Sequence, residues 1–380
     1  MRKAFFIAIA VLVVGIGIAG VRALQTAPTP ADPPTPHPTP ASLGSLAYAL
    51  DGDIFVAEWD GSNSVKIADG RPPDEWEDGV LVEEHCGSGE YFADGPIWSP
   101  DGRYLAYRHT DCNAPAFQSD VVISDAEGNV VTSFPSGEGS RISWSPDSTR
   151  VAVWVRTWTS TWTIGVYGVD GVRQALLTLP GGGVFEPGKI DPVWSPDGRS
   201  FLLGRGEIPL DGSTPRPLPW AEPTDPWVTG WALSPDGSRI ALVVDRSFVI
   251  AEANGSNPQE VSGDWPEMKL PPHWDPVWSP AGDRIAFTPT SRGSTQLRVL
   301  DVATGTATLL TEVDASNGLR VIDFSPQGDR ILFESFHLDG AGADSLWSVN
   351  VDGSDLRRLV AGTAVGDWQT LSPTPESLGR

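Results

Sequence analysis

Carboxylates and aromatic rings gather at one recurring place in this chain. Asp191-Pro192-Val193-Trp194 and Asp275-Pro276-Val277-Trp278 match each other in register, Asp94 stands shortly ahead of Trp98, and Asp367 directly precedes Trp368. If these segments enter a common funnel, their carboxylates form an incomplete acidic ring, with Arg141 as the basic exception. Converging carboxylates beside a low-dielectric wall concentrate their field, which suits a divalent cation such as calcium or a basic group. The competing reading gives each Asp-Pro a local job, setting a turn and capping free N–H groups. His273 lies two residues before Asp275, the arrangement of a base and its partner, and His109 belongs to the same end of the repeat. Trp158 and Trp227 fall in connecting segments, where an aromatic face beside carboxylates stacks on sugar rings or grips cations. The expected binding residues are thus Asp94, Trp158, Asp191, Trp227, His273, Asp275 and Asp367, with no residue assigned to catalysis and no resident metal or cofactor.

The elements that must position these residues are announced by a repeated phrase. It reads Trp98-Ser99-Pro100-Asp101-Gly102, Trp144-Ser145-Pro146-Asp147, Trp194-Ser195-Pro196-Asp197-Gly198, Leu233-Ser234-Pro235-Asp236-Gly237, Trp278-Ser279-Pro280-Ala281-Gly282 and Phe324-Ser325-Pro326-Gln327-Gly328. The leaders are 46, 50, 39, 45 and 46 residues apart, the period of a four-stranded propeller blade. Each phrase carries an apolar strand into Pro and Asp, turns on Gly and leaves as a second alternating strand. The leading aromatic is expected to pack between blades.

A second series counts the blades from the hairpin between third and fourth strands: Asp60-Gly61, Glu127-Gly128, Asp170-Gly171, Asp211-Gly212, Asn254-Gly255, Thr304-Gly305 and Asp352-Gly353. Seven turns against six phrases are reconciled if the chain enters at the second strand of a blade, near Leu46, and returns at Gly366 to Leu371 to supply that blade's first strand. An all-β, seven-bladed propeller closed by strands from both termini is predicted, with six blades as the alternative and the short unit Gly206 to Pro219 as the place where seven would fail. Closure of this kind leaves no open blade.

The predicted organisation is 1–24 membrane anchor or signal peptide, 25–44 stalk linker, 45–372 propeller and 373–380 tail. Met1-Arg2-Lys3 precedes an uncharged run, Ala4 to Val21, long enough to span as an uncleaved anchor that leaves the propeller outside the cytoplasm. Cleavage near Val21-Arg22-Ala23 would instead give a secreted or periplasmic protein. The Pro/Thr-rich linker favours extended conformations and reaches roughly 60 Å. With 26 Lys and Arg against 49 Asp and Glu, a net charge of -23 makes nucleic acid a poor partner. The chain has two cysteines, Cys86 and Cys112, expected to form a disulfide because two antiparallel strands separate them and bring their loops to one face. Zinc held with His85 and His109 is the alternative, disfavoured because adjacent residues 85 and 86 point apart in an extended chain.

The Trp-Ser-Pro-Asp-Gly phrase, its Leu/Ile-Ala strand and the later Asp-Gly-Ser turn resemble the repeat of TolB-type, WD40-like propellers of exported bacterial proteins. The resemblance covers Ser45 to Leu371 and implies the propeller fold and a bias toward binding. TolB itself carries an α/β domain and six blades, so the chain is not expected to be TolB. The peptidases that share this repeat carry a Gly-x-Ser-x-Gly nucleophile elbow that this sequence lacks. The function expected is a non-catalytic envelope scaffold that is monomeric and presents an acidic, Trp-bearing face to a protein or glycan. The alternative is a metal-assisted lyase or hydrolase acting on an extracellular polymer from a site in the funnel.

Overall fold

Each Ser-Pro phrase closes a turn whose serine is buried and bonded on several sides. In the first copy Ser99 Oγ accepts the Tyr104 amide at 2.9 Å and donates to Asp101 Oδ1 at 2.7 Å, while the Gly102 amide donates to the Ser99 carbonyl at 2.8 Å. The same serine-to-Asp bond recurs from Ser145 to Asp147, Ser195 to Asp197 and Ser234 to Asp236. Two copies have lost that Asp to Ala281 and Gln327. There the hydroxyl turns to Asp283 and Asp329, both at 2.7 Å, so the buried serine keeps an acceptor. The turn demands a left-handed residue after the Asp position. Gly102, Gly198, Gly237, Gly282 and Gly328 supply it, and Ser148 takes φ 58° in the copy without Gly.

The structure is a computed structural model and describes residues 45–369 apart from 69–75, 78–79, 82–94, 112–117, 137–141, 157–161, 179–192, 204–205, 219–227, 245–246, 262–275, 291–292, 315, 338–343 and 363–364. The described residues form seven four-stranded antiparallel sheets and one small two-stranded pair, Trp76–Glu77 with Val80–Leu81. We number the blades by their inner strands: Ile97–Trp98 (blade 1), Ile142–Trp144 (2), Val193–Trp194 (3), Val228–Leu233 (4), Val277–Trp278 (5), Asn317–Phe324 (6) and Gly366–Trp368 (7). Blade 7 is completed from the other end of the propeller by Ser45–Leu50, Asp53–Glu58 and Val65–Ala68. The expected seven blades and two-ended closure are therefore present. Blade 3 is the shortest, but Gly206–Pro209 and Arg216–Pro217 complete it.

The leading aromatics pack where blades meet. Trp98, Trp144, Trp194, Trp278, Phe324 and Trp368 are all buried, and the indole N–H groups of Trp144, Trp194 and Trp278 donate to Ile97, Ser143 and Ala232 carbonyls of the preceding inner strand. Arginines on second strands add a further stitch. Arg150 stacks over Trp194 at 4.9 Å and donates to the Gly198 carbonyl, and Arg239 does the same to Trp278 and Gly282. Blade 4 corrects the expected pattern. Its buried aromatic is Trp231, two residues ahead of Leu233 on the same face, and Leu233 is only partly buried. Two residues along a strand restore the same side, so either position can fill the gap between blades.

Candidate functional site

The position one residue ahead of each leader is apolar or small through most of the ring: Ile97, Ser143, Val193, Ala232 and Val277. In blades 6 and 7 it is Asp323 and Asp367. Cross-strand partners fix where these carboxyls lie. Asp323 pairs with Leu332, which packs with Leu46, Tyr48 and Trp368 between blades 6 and 7. Asp367 pairs with Ala47, which packs with Trp98 between blades 7 and 1. The pair therefore occupies equivalent places in two successive interfaces, at the innermost strands.

Their bonds are to backbone. Asp367 Oδ2 accepts the Trp98 amide at 2.7 Å, tying the closing strand to blade 1, and Asp323 Oδ1 accepts the Phe324 amide at 2.7 Å. Both keep some accessible surface while packed among the inner strands. Burial pushes both acids up, Asp323 to about 7 and Asp367 well above the usual carboxylate range, with the charge of Asp323 adding to the effect on Asp367. A third acid on blade 6, Glu334, is also pushed up to about 7 by burial, although Arg320 Nη2 lies 2.6 Å from its Oε2.

Two carboxyls in such a setting bind a proton, accept N–H groups or meet a cation. As a metal centre they are too few: calcium takes six to eight oxygens. Among the described residues no three His, Cys, Asp or Glu side chains gather as metal ligands. Elsewhere, a cleft of about 550 Å³ opens beside blade 3, where Arg150, Arg199 and Arg216 stand among Asp197, Glu207 and Asp211. Its charges largely answer one another, as Arg216 is bonded twice to Glu207 at 2.8 and 3.0 Å.

Of the residues expected from sequence to bind, Asp367 alone falls among those the structure describes. Asp94, Trp158, Asp191, Trp227, His273 and Asp275 lie outside the described residues, as do Cys86 and Cys112 and the whole of 1–24 and 25–44. Asp323 was missed. Its signal is the match of Asp323-Phe324-Ser325 to Asp367-Trp368-Gln369, with the acid directly ahead of the leader, closer than Asp94, Asp191 and Asp275 and without the proline that follows the latter two.

No protein-family model matches the chain. Comparisons with individual proteins reach the fold. An uncharacterized protein of Agrobacterium fabrum is 29% identical over 194 residues, 47% of this chain, and the chain covers only 59% of that relative's length. Among solved structures, the periplasmic gluconolactonase of Pseudomonas aeruginosa is similar over 87% of this chain and all of its own, with a TM-score of 0.50 and 11% identity. TolB of Acinetobacter baumannii matches over 87% of this chain and 68% of its own at a TM-score of 0.45 and 16% identity. TolB-like propellers are thus among the structural neighbours, at low identity.

Proposed function

We propose that the protein is an exported binding propeller that works without catalysis and holds a protein or glycan of the cell envelope on the face opposite its Ser-Pro turns. The observation that carries this reading is how the turn face spends its polar groups. Its six serines are buried, and each is committed to a neighbouring carboxylate and to the backbone of its own turn. Groups satisfied this way have little left for a ligand. The chain reaches the inner strands from the other face, through connections that vary widely between blades: long from Thr178 to Val193 and from Val261 to Val277, short from Asp314 to Asn317. Specificity in a repeat protein collects in connections of this kind. Asp191, Trp227, His273 and Asp275 belong to them by chain order, and Trp158 belongs to the connection between the second and third strands of blade 2, on the same side of the repeat. The uncharged run Ala4 to Val21 supports export, and the linker after it supports presentation away from a membrane.

Photo-crosslinking residues placed at 158 and 227, and as controls at 147 and 236 on the turn face, test the reading in the native envelope. Adducts are expected from 158 and 227 alone, and an excess of purified unmodified protein should suppress them. Equal adducts from both faces, or none from either, would overturn it.

A further inference from the structure

The sequence sets asparagine before glycine twice, at Asn254-Gly255 and Asn317-Gly318. A side-chain amide in this setting is open to attack by the next backbone nitrogen, because glycine has no Cβ to shield that nitrogen. The fold puts the two pairs in opposite surroundings. Asn254 is exposed in the outer hairpin turn of blade 4, whereas Asn317 begins the inner strand of blade 6, with Gly318 buried and paired with Phe336. A Cβ on Gly318 would come within 2.2 Å of Phe336 Cζ, and Asn317 Nδ2 is tied to Asp314 Oδ1 at 2.9 Å.

We propose that Asn254 is a site of spontaneous modification by water, in which its side-chain amide becomes a carboxylate. The Gly255 nitrogen gives its proton to a solvent base and bonds to Asn254 Cγ; the Cγ–Nδ2 bond breaks, and the amide nitrogen takes a proton from solvent and leaves as ammonia. Water then opens the cyclic imide at either of its carbonyls, giving aspartate or isoaspartate. The turn prepares the attacked group. Asn254 Oδ1 accepts the Ser256 amide at 2.9 Å and the Ser256 hydroxyl at 2.6 Å, two donors aimed at the oxygen that becomes negative when Cγ is attacked. Against this, the Gly255 amide donates to the Glu252 carbonyl at 2.8 Å, a bond that must open first. That opening holds the rate below that of an unfolded chain.

The repeat itself shows that the aspartate product fits. Asp60 and Asp352 hold the same turn position and accept the amide and hydroxyl of the serine two residues on, at 3.0 and 2.6 Å from Ser62 and at 2.9 and 2.6 Å from Ser354. The amides of Gly61 and Gly353 reach back at 2.8 Å, as Gly255 does. These acids resist the same attack at neutral pH. Their serine donors hold them below the usual carboxylate range, and an ionised carboxylate repels an incoming nucleophile. Isoaspartate is a different outcome, since it inserts a methylene into a backbone turn closed by bonds from Gly255 to Glu252 and from Glu252 to Ser256. The chemistry lies on the turn face and is independent of any partner on the opposite one.

The experiment holds the folded full-length protein in a mildly alkaline buffer, digests samples in acid at intervals and maps them by mass spectrometry, with fragmentation that separates isoaspartate from aspartate. A parallel sample in urea exposes both sites equally. In the folded protein Asn254 should convert at least ~10-fold faster than Asn317, and in urea the two rates should agree within ~3-fold. Ser256→Ala should slow Asn254 by ~3-fold or more in the folded protein alone. Equal rates at the two sites in the folded protein, or an intact Asn254 there while both convert in urea, would overturn the proposal. A folded-state rate unchanged by Ser256→Ala would overturn the part given to that serine.

Discussion

The same residue type lives two different lives in this propeller. On the turn face Asp197 and Asp236 are held below the ordinary carboxylate range, first by the serine hydroxyl and then by backbone amides, Asp236 to about 2. At the closing joint burial leads, and Asp323 and Asp367 are driven the other way. Hydrogen-bond supply decides between the outcomes. Asp236 takes the Ser234 hydroxyl, the Ser238 hydroxyl and the Ser238 amide while open to solvent, whereas Asp323 has one amide and an enclosed setting. The repeat thus makes its turns want ionised acids, while the joint wants protonated ones. The turns of blades 1 to 4 and the closing strands thus hold the same residue type in opposite settings.

The largest effect expected from breaking the seam's side of this contrast is at Arg330. Its guanidinium is buried, bonded to Asn350 Oδ1 at 2.6 Å, Asp355 Oδ2 at 2.7 Å and Ser348 Oγ at 2.9 Å, and stacked over Trp59 of blade 7 at 5.1 Å. Trp59 in turn gives its carbonyl to the Trp368 indole at 3.3 Å. In blades 2, 4 and 5 the equivalent arginine reaches the next turn, so here the stitch has been redirected to the closing blade. Arg330→Ala should cost about 2–4 kcal/mol in urea denaturation, below the full value for a buried pair because Asp355 is partly exposed. A loss under about 1 kcal/mol would show that the seam is held elsewhere.

The turn face is probed by Ser279→Ala. Ser279 is fully buried, accepts the Arg284 amide at 3.0 Å and donates to Asp283. Its removal strands a buried amide and should cost about 1–3 kcal/mol, with no change in how stability depends on pH between about 6 and 8. A pH-dependent loss in that window would mean that the turns and the joint are coupled, and the contrast between them would fail.

Much of this architecture was legible because its physics is local and repeated. All seven glycines that count the outer hairpins, from Gly61 to Gly353, take positive φ, and the six Ser-Pro turns lie where the phrases put them. Closure by Trp368 followed from spacing alone. Legibility failed where packing, not pattern, decides. Trp231 substitutes for Leu233 because a gap between blades accepts a ring from either position on that face. Asp323 carries no motif, and its character comes from burial beside Asp367, which only the assembled ring creates. Ser148 is a third instance: no glycine follows Asp147, yet the serine takes the left-handed conformation the turn needs and accepts the Asp101 amide of blade 1 at 3.0 Å.

The smallest and most discriminating effect concerns acid. Carboxylates whose folded-state values are depressed add stability that is present above the unfolded range near 4 and lost as pH falls toward about 2, the value at Asp236. The joint behaves oppositely, gaining as it is protonated. Stability should therefore peak on the acid side of neutrality, with an acid limb belonging to the turns and a neutral limb belonging to Asp323 and Asp367. Asp236→Asn should flatten a small part of the acid limb and leave the neutral limb where it was, measured by thermal melting from about pH 2.5 to 8.5. If Asp236→Asn moved the neutral limb instead, the two populations of carboxyls would share one titration, and the contrast between the turns and the closing strands would fail.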